Sequence, residues 1–259
     1  MLRPRIIPCL LVRNKGLVKT VKFSPFKYVG DPINAVKIFN EKEADELIVL
    51  DIDATKTGEA PDFAMIQKLA AECRMPLCYG GGVKTVEQAG RIIGLGVEKV
   101  AISSAALADP NLVTAIAAEI GSQSVVVVLD VKKSLFGKYL VYTHNGQNKT
   151  HFSPVEAAKQ AEKLGAGEIV INSIDHDGQM KGYDLELAAQ VREAIRLPMT
   201  VIGGAGSLSD IGNLIKTCGT VGAGAGSFFV FKGTYRAVLI NYPDQAQKDA
   251  IVHGALRQR

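Results

Sequence analysis

The chain of 259 residues has no tryptophan, and aromatic residues make up only 6% of it. Its four cysteines, Cys9, Cys73, Cys78 and Cys218, contain no CxxC pair. That argues against a disulfide framework or thiolate metal site and predicts buried, reduced thiols in a cytoplasmic protein. The four histidines, His144, His151, His176 and His253, are too scattered for metal-ligand spacing, so neither metal nor cofactor is expected. No apolar run approaches the roughly 20 residues of a membrane span, and no signal-peptide pattern is seen. The net charge of +4 is modest and its basic residues are dispersed. This points away from nucleic acid and towards a phosphorylated small molecule or an acidic protein surface.

What the sequence does have is alternation. Short β-branched runs at 6–12, 47–52, 77–79, 99–102, 124–131, 168–174, 199–202 and 221–225 alternate with amphipathic patterns. The helical patterns cover 32–42, 62–73, 85–95, 112–120, 154–164, 185–195 and 208–217. Continuous apolar strands separated by helices imply parallel strands buried on both faces. Eight such units over 1–259 predict a single-domain α/β protein, a (β/α)8 barrel, with a doubly wound open sheet as the alternative.

The halves of the chain, about 1–122 and 123–259, echo each other. Gly81 to Ser104 and Gly204 to Ser227 are both 23 residues apart, which reads as a duplicated half-barrel. Glycines after a strand let backbone N–H groups approach a phosphate at a helix start. Gly80, Gly81 and Gly82 with Ser103 and Ser104 form one candidate grip. Gly203, Gly204, Gly206, Gly226 and Ser227 form its counterpart, and Asp177 and Gly178 belong to the neighbouring loop. The alternative is that these glycines only shape tight turns. The strand tips differ: the run ending Val128-Leu129-Asp130 carries a carboxylate, whereas the first strand carries Leu11.

Arg5-Ile6-Ile7-Pro8-Cys9-Leu10, Gly30-Asp31-Pro32, Gly80-Gly81-Gly82, Gly165-Ala166-Gly167-Glu168-Ile169, Ser173-Ile174-Asp175-His176-Asp177-Gly178 and Gly203-Gly204-Ala205-Gly206 together carry a resemblance. Over essentially its whole length the chain resembles the cyclase (HisF) subunit family of imidazole glycerol phosphate synthase. The resemblance implies a glutaminase subunit docked at the barrel floor, and ammonia rising along the axis to a bisphosphorylated substrate at the mouth. It implies two aspartates as general acid and base, of which one maps onto Asp130 and the other onto Leu11. It places Lys19 over the substrate, and puts Thr20 at a usual glycine and Ile202 at a usual serine.

At the floor the resemblance implies an ammonia gate of four charged residues, Arg5, Glu46, Lys99 and Glu168, with Glu98 at an acidic docking position. A purely structural ring of ion pairs is the other reading. The segments 228–233 and 236–243, with Leu10-Leu11 and the run from Leu17 to Phe23, are similar to a second branch found with surface-polysaccharide genes. That branch implies ammonia delivery to a third protein that amidates a sugar. A working cyclase, using Asp130 and Lys19 or a substitute acid such as Asp51, Asp53 or Asp177, is the alternative.

Overall fold

Most outer helices begin where a side-chain oxygen can take up an orphaned backbone N–H. Asp31 accepts from the Asn34 N–H ahead of α1 (Pro32–Glu41), whose leading proline has no N–H to leave unpaired. Asp62 caps α2 (Phe63–Glu72), and Thr85 with Gln88 forms a reciprocal capping box on α3 (Val86–Gly94). After α4 (Asn111–Ile120), Ser153 and Glu156 box α5 (Pro154–Lys163). Asp184 caps α6 (Leu185–Ala194) and Ser207 caps α7 (Leu208–Cys218). An eighth helix, α8 (Gln245–Arg257), was not anticipated from the hydrophobic pattern.

The computed structural model describes residues 3–134 and 136–257; the remainder of the predicted 1–259 domain lies outside the described residues. The barrel strands are β1 (Arg5–Arg13), β2 (Leu47–Asp51), β3 (Leu77–Gly80) and β4 (Lys99–Ile102). They continue as β5 (Val125–Lys133), β6 (Glu168–Ser173), β7 (Met199–Ile202) and β8 (Gly222–Ala225). Each pairs in parallel with the next, and β8 pairs with β1 to close the cylinder. The protein is therefore a single-domain (β/α)8 barrel rather than an open sheet.

Closure divides the apolar residues into two cores. Alternate strand residues such as Ile6, Leu10, Leu47, Val100 and Ile169 face the helices and join Phe39, Ile66, Ile92, Leu187 and Leu214. The others point to the axis: Ile7, Cys9, Ile48, Cys78, Ala101, Val126, Val128, Val170 and Ile202, with Leu11 and Leu50 at the upper end. Inward positions on β8 are glycines for steric reasons. A Cβ on Gly222 would stand 2.0 Å from Thr200 Oγ1, and one on Gly224 2.6 Å from Ile202 Cγ1. The interior is thus filled by side chains from neighbouring strands.

Several strands overrun the cylinder. β1 continues into an antiparallel hairpin with Gly16–Thr20, which pairs in turn with Phe26–Gly30. β5 pairs with Tyr139–Thr143, and beyond β8 a small ribbon joins Phe231–Lys232 to Ala237–Val238. These hairpins rise above the C-terminal ends of the strands. At the opposite end, the Tyr242 hydroxyl donates to Ile6 O at 2.7 Å. Lys248 of α8 donates to Asp45 at 2.8 Å, fastening the last helix, which packs against α7, to the turn before β2.

Candidate functional site

One cavity opens at the C-terminal ends of the strands, with an empty volume of about 1230 Å3 counting the space open to solvent. Its walls bring together Leu11, Lys19, Gly82, Ser103, Ser104, Asp130, Asp177, Gly178, Gly204, Gly226 and Ser227, whereas Gly206 and Asp53 do not line it. The backbone explains the glycines. Gly82 at φ +74° and Gly204 at φ +116° are left-handed, and a Cβ on Gly204 would lie 2.1 Å from Gly182 O. The two glycine clusters follow β3 and β7. Ser104 and Ser227 open short helices, Ser104–Ala108 and Ser227–Val230, after β4 and β8. Ser104 Oγ is engaged by the His144 N–H at 3.1 Å, but the buried Ser103 hydroxyl meets no partner.

Four carboxylates stand at or beside the mouth, and three are committed. Asp51 accepts from the backbone N–H groups of Asp53 and Ala54 at 3.0 and 3.1 Å. Asp53 pairs with Arg13 at 2.6 Å. Asp177 accepts from the Thr20 hydroxyl at 2.7 Å and the Phe23 N–H at 3.1 Å. Burial raises the Asp51 and Asp177 carboxyls above their ordinary range despite these bonds. Asp130 differs. It accepts one bond, from Asn172 Nδ2 at 3.0 Å, while the buried Asn172 Oδ1 stays unpaired. Burial, opposed by the Asn172 bond and reinforced by Asp177, pushes Asp130 up to about 7.

Lys19 is 4% exposed and donates to the Cys9 carbonyl. Burial lowers its pKa, with Cys9 and Asp177 pulling the other way. The β1 hairpin that carries it lies across the mouth. Thr20, at a usual glycine of the family, ties the hairpin to the β6 loop through Asp177. Ile202, buried at 6% exposure, joins Leu11, Leu50 and Val128 as the apolar lining of the same cavity.

At the far end of the axis the four charged residues meet. Arg5 bonds Glu46 through Nη1 and Glu168 through Nη2, the latter at 2.7 Å. Lys99 closes the circuit at 2.7 Å to Glu46 and 2.8 Å to Glu168. Burial by itself would lower Arg5 and Lys99 and raise Glu168. The opposite charges outweigh it, so both bases are raised and Glu168 is lowered. Thr200, unremarked in the sequence, donates at 2.6 Å to the same Glu168 oxygen that Arg5 engages. Glu98, exposed beside the ring, accepts from the Leu77 N–H at 2.6 Å.

Between ring and mouth, the thiols of Cys9 and Cys78 are raised by burial, Cys9 to about 11. They remain neutral and keep the axis uncharged. Among the described residues no His, Cys, Asp or Glu cluster could hold a metal, and no helix is long and apolar enough to cross a membrane.

Residues 5–236 match the histidine biosynthesis protein family. A Vibrio vulnificus protein with the provisional name imidazole glycerol phosphate synthase subunit hisF3 is 59% identical over 249 residues, 96% of each chain. The chain belongs to the HisF family. A Pseudomonas aeruginosa member, provisionally named subunit hisF2, is 51% identical over 96% of this chain and 99% of its own. The Alkaliphilus metalliredigens subunit HisF of the synthase is 41% identical over 81% of this chain and 83% of its own. HisF membership fits a barrel with its charged ring at one end and its glycine-lined cavity at the other. Two contacts of this HisF-like chain had no sequence signal: Asn172 beside Asp130, and the β5 hairpin over the mouth, where Asn145 bonds Ile52 O.

Proposed function

We propose that this HisF-family barrel receives ammonia from a glutaminase docked at its floor and conducts it along the axis to a third protein that amidates a sugar. It turns over no cyclase substrate of its own. The observation that carries this reading is the state of the mouth carboxylates. The position that would hold the second acid is Leu11, a hydrocarbon that neither gives nor takes a proton. Asp51, Asp53 and Asp177 are each held by hydrogen bonds or an ion pair, so none stands free to replace it. With Leu11 opposite, Asp130 has no second free carboxylate with which to divide the roles of acid and base.

The remaining features suit transit. The ring of Arg5, Glu46, Lys99 and Glu168 is net neutral and closed by direct ion pairs, so passage requires one pair to part when the glutaminase binds. Above it the apolar lining favours neutral ammonia, because a buried unpaired ammonium would cost several kcal/mol. At the exit, Asp130 and the unpaired Asn172 Oδ1 are the first acceptors a small N–H donor would meet. The glycine-lined loops, the free Ser103 hydroxyl and Lys19 are the groups that would hold a phosphorylated molecule.

The test is to incubate the purified chain with the histidine-pathway bisphosphate and excess ammonium salt, which bypasses the glutaminase. No substrate loss is expected from the native chain, and measurable loss from Leu11→Asp. Native turnover at the rate of an ordinary cyclase would refute the proposal.

A further inference from the structure

We infer that the rim formed by the β1 and β8 hairpins is the docking face for the ammonia-accepting enzyme. The partner it fits presents an acidic surface around an apolar centre. This rests on the ammonia-transfer reading above and names where that transfer is made.

Three observations carry it. First, exposed apolar residues are concentrated there. Five of the seven exposed large apolar side chains among the described residues are Phe26, Tyr28, Tyr235, Val238 and Leu239. Tyr235 is 98% exposed, and Tyr28, whose ring rests against Gly16, is 64% exposed. Clustered exposed apolar groups on a soluble chain mark a surface that is covered in use. Second, the two hairpin segments carry one sign of charge, with Asp31 and Asp244 lying just beyond them. Residues 13–30 and 226–243 contain Arg13, Lys15, Lys19, Lys22, Lys27, Lys232 and Arg236 and no carboxylate. Arg13 and Lys15 pair with Asp53 and Asp62, and Lys19 is buried. Lys22, Lys27, Lys232 and Arg236 form no ion pair with a carboxylate among the described residues. Such a surface selects a partner of opposite charge and repels like-charged ones.

Third, the rim is continuous with the exit. Lys27 and Arg236 both approach the Phe231 ring, at 5.4 and 5.8 Å, joining the two hairpins. Arg236 donates to Gly178 O at 2.7 Å, and Gly178 lines the cavity with Thr20, Phe23 and Gly226 of the same hairpins. A protein seated here covers the mouth on the face opposite the charged ring, so both partners bind without competing.

The test uses Tyr235→Glu and Lys27→Glu, singly and together, expressed in the source cells, with a deletion of the chain alongside. The double variant is expected to lower amidation of the surface polysaccharide, read by mass, by about tenfold or more. Its purified complex with the glutaminase should keep native glutamine hydrolysis, which shows that the barrel is folded. Benzoylphenylalanine at position 235 should give a light-induced protein adduct that Lys27→Glu abolishes.

Full amidation by the double variant, when deletion abolishes amidation, overturns the docking face and leaves ammonia transfer standing. Amidation that survives deletion overturns both. An adduct removed by nuclease, or one formed only between copies of this chain, overturns the acidic enzyme as occupant.

Discussion

Replacing Asp130 by asparagine should stabilise the protein at high pH and leave it nearly unchanged at low pH. The carboxyl has an ordinary value of 3.8 and sits at about 7 in the folded chain. The native state therefore holds this proton more tightly than the unfolded one. Between those two values the native state binds more protons, so Asp130 makes unfolding progressively easier as the pH rises through the window. Each pKa unit is worth about 1.4 kcal/mol, so the full difference is about 4 kcal/mol, reduced to about 2–4 kcal/mol by the partial exposure of the mouth.

Asparagine has the same shape, carries no charge, and can accept from Asn172 Nδ2 while donating to the unpaired Asn172 Oδ1. Asp51 also titrates in the native chain, and its contribution cancels when the variant is subtracted, whereas that of Asp177, which helps to raise Asp130, cancels only in part. The assay is urea unfolding of both proteins at pH 4, 6 and 8. The stability gained by the variant should grow by about 2–4 kcal/mol from pH 4 to pH 8. A gain independent of pH would refute the account of Asp130 as a carboxyl held up by burial.

Glu168→Gln should leave Arg5 and Lys99 one counter-charge short and cost about 2–4 kcal/mol in urea unfolding; an unchanged midpoint would mean that the ring is freely hydrated. Thr20→Val should remove one of the hydrogen bonds that tie the β1 hairpin to Asp177, leaving that from the Phe23 N–H, lowering stability by about 1 kcal/mol and speeding limited proteolysis between 20 and 26; equal cleavage rates would count against the tie. In the complex with its glutaminase, Val126→Trp on the barrel axis should leave glutamine hydrolysis intact and stop the coupled amidation. Continued amidation would show that ammonia travels by another route.

The residues themselves determined the architecture. Their strand and helix periods, the caps at Asp31, Thr85 and Ser153, and the glycines after β3 and β7 are local chemistry, so the barrel was legible before its coordinates. The floor ring and Lys19 were nameable through the resemblance to the HisF family, whereas the glycine clusters and Asp130 were nameable because they lie at strand ends, which converge once a barrel closes. The tertiary structure decided what those residues do to one another. Thr20 gained a partner in Asp177 because two loops cross above the axis, and Thr200 completed the ring because β7 runs beside β6. Asp130 acquired its raised pKa from burial and from Asn172 on the neighbouring strand. The rim of Phe26, Tyr28 and Tyr235 became a surface only when hairpins from opposite ends of the chain met at Phe231. Local composition can specify an element, but a pKa or a docking face depends on distances between residues far apart in sequence.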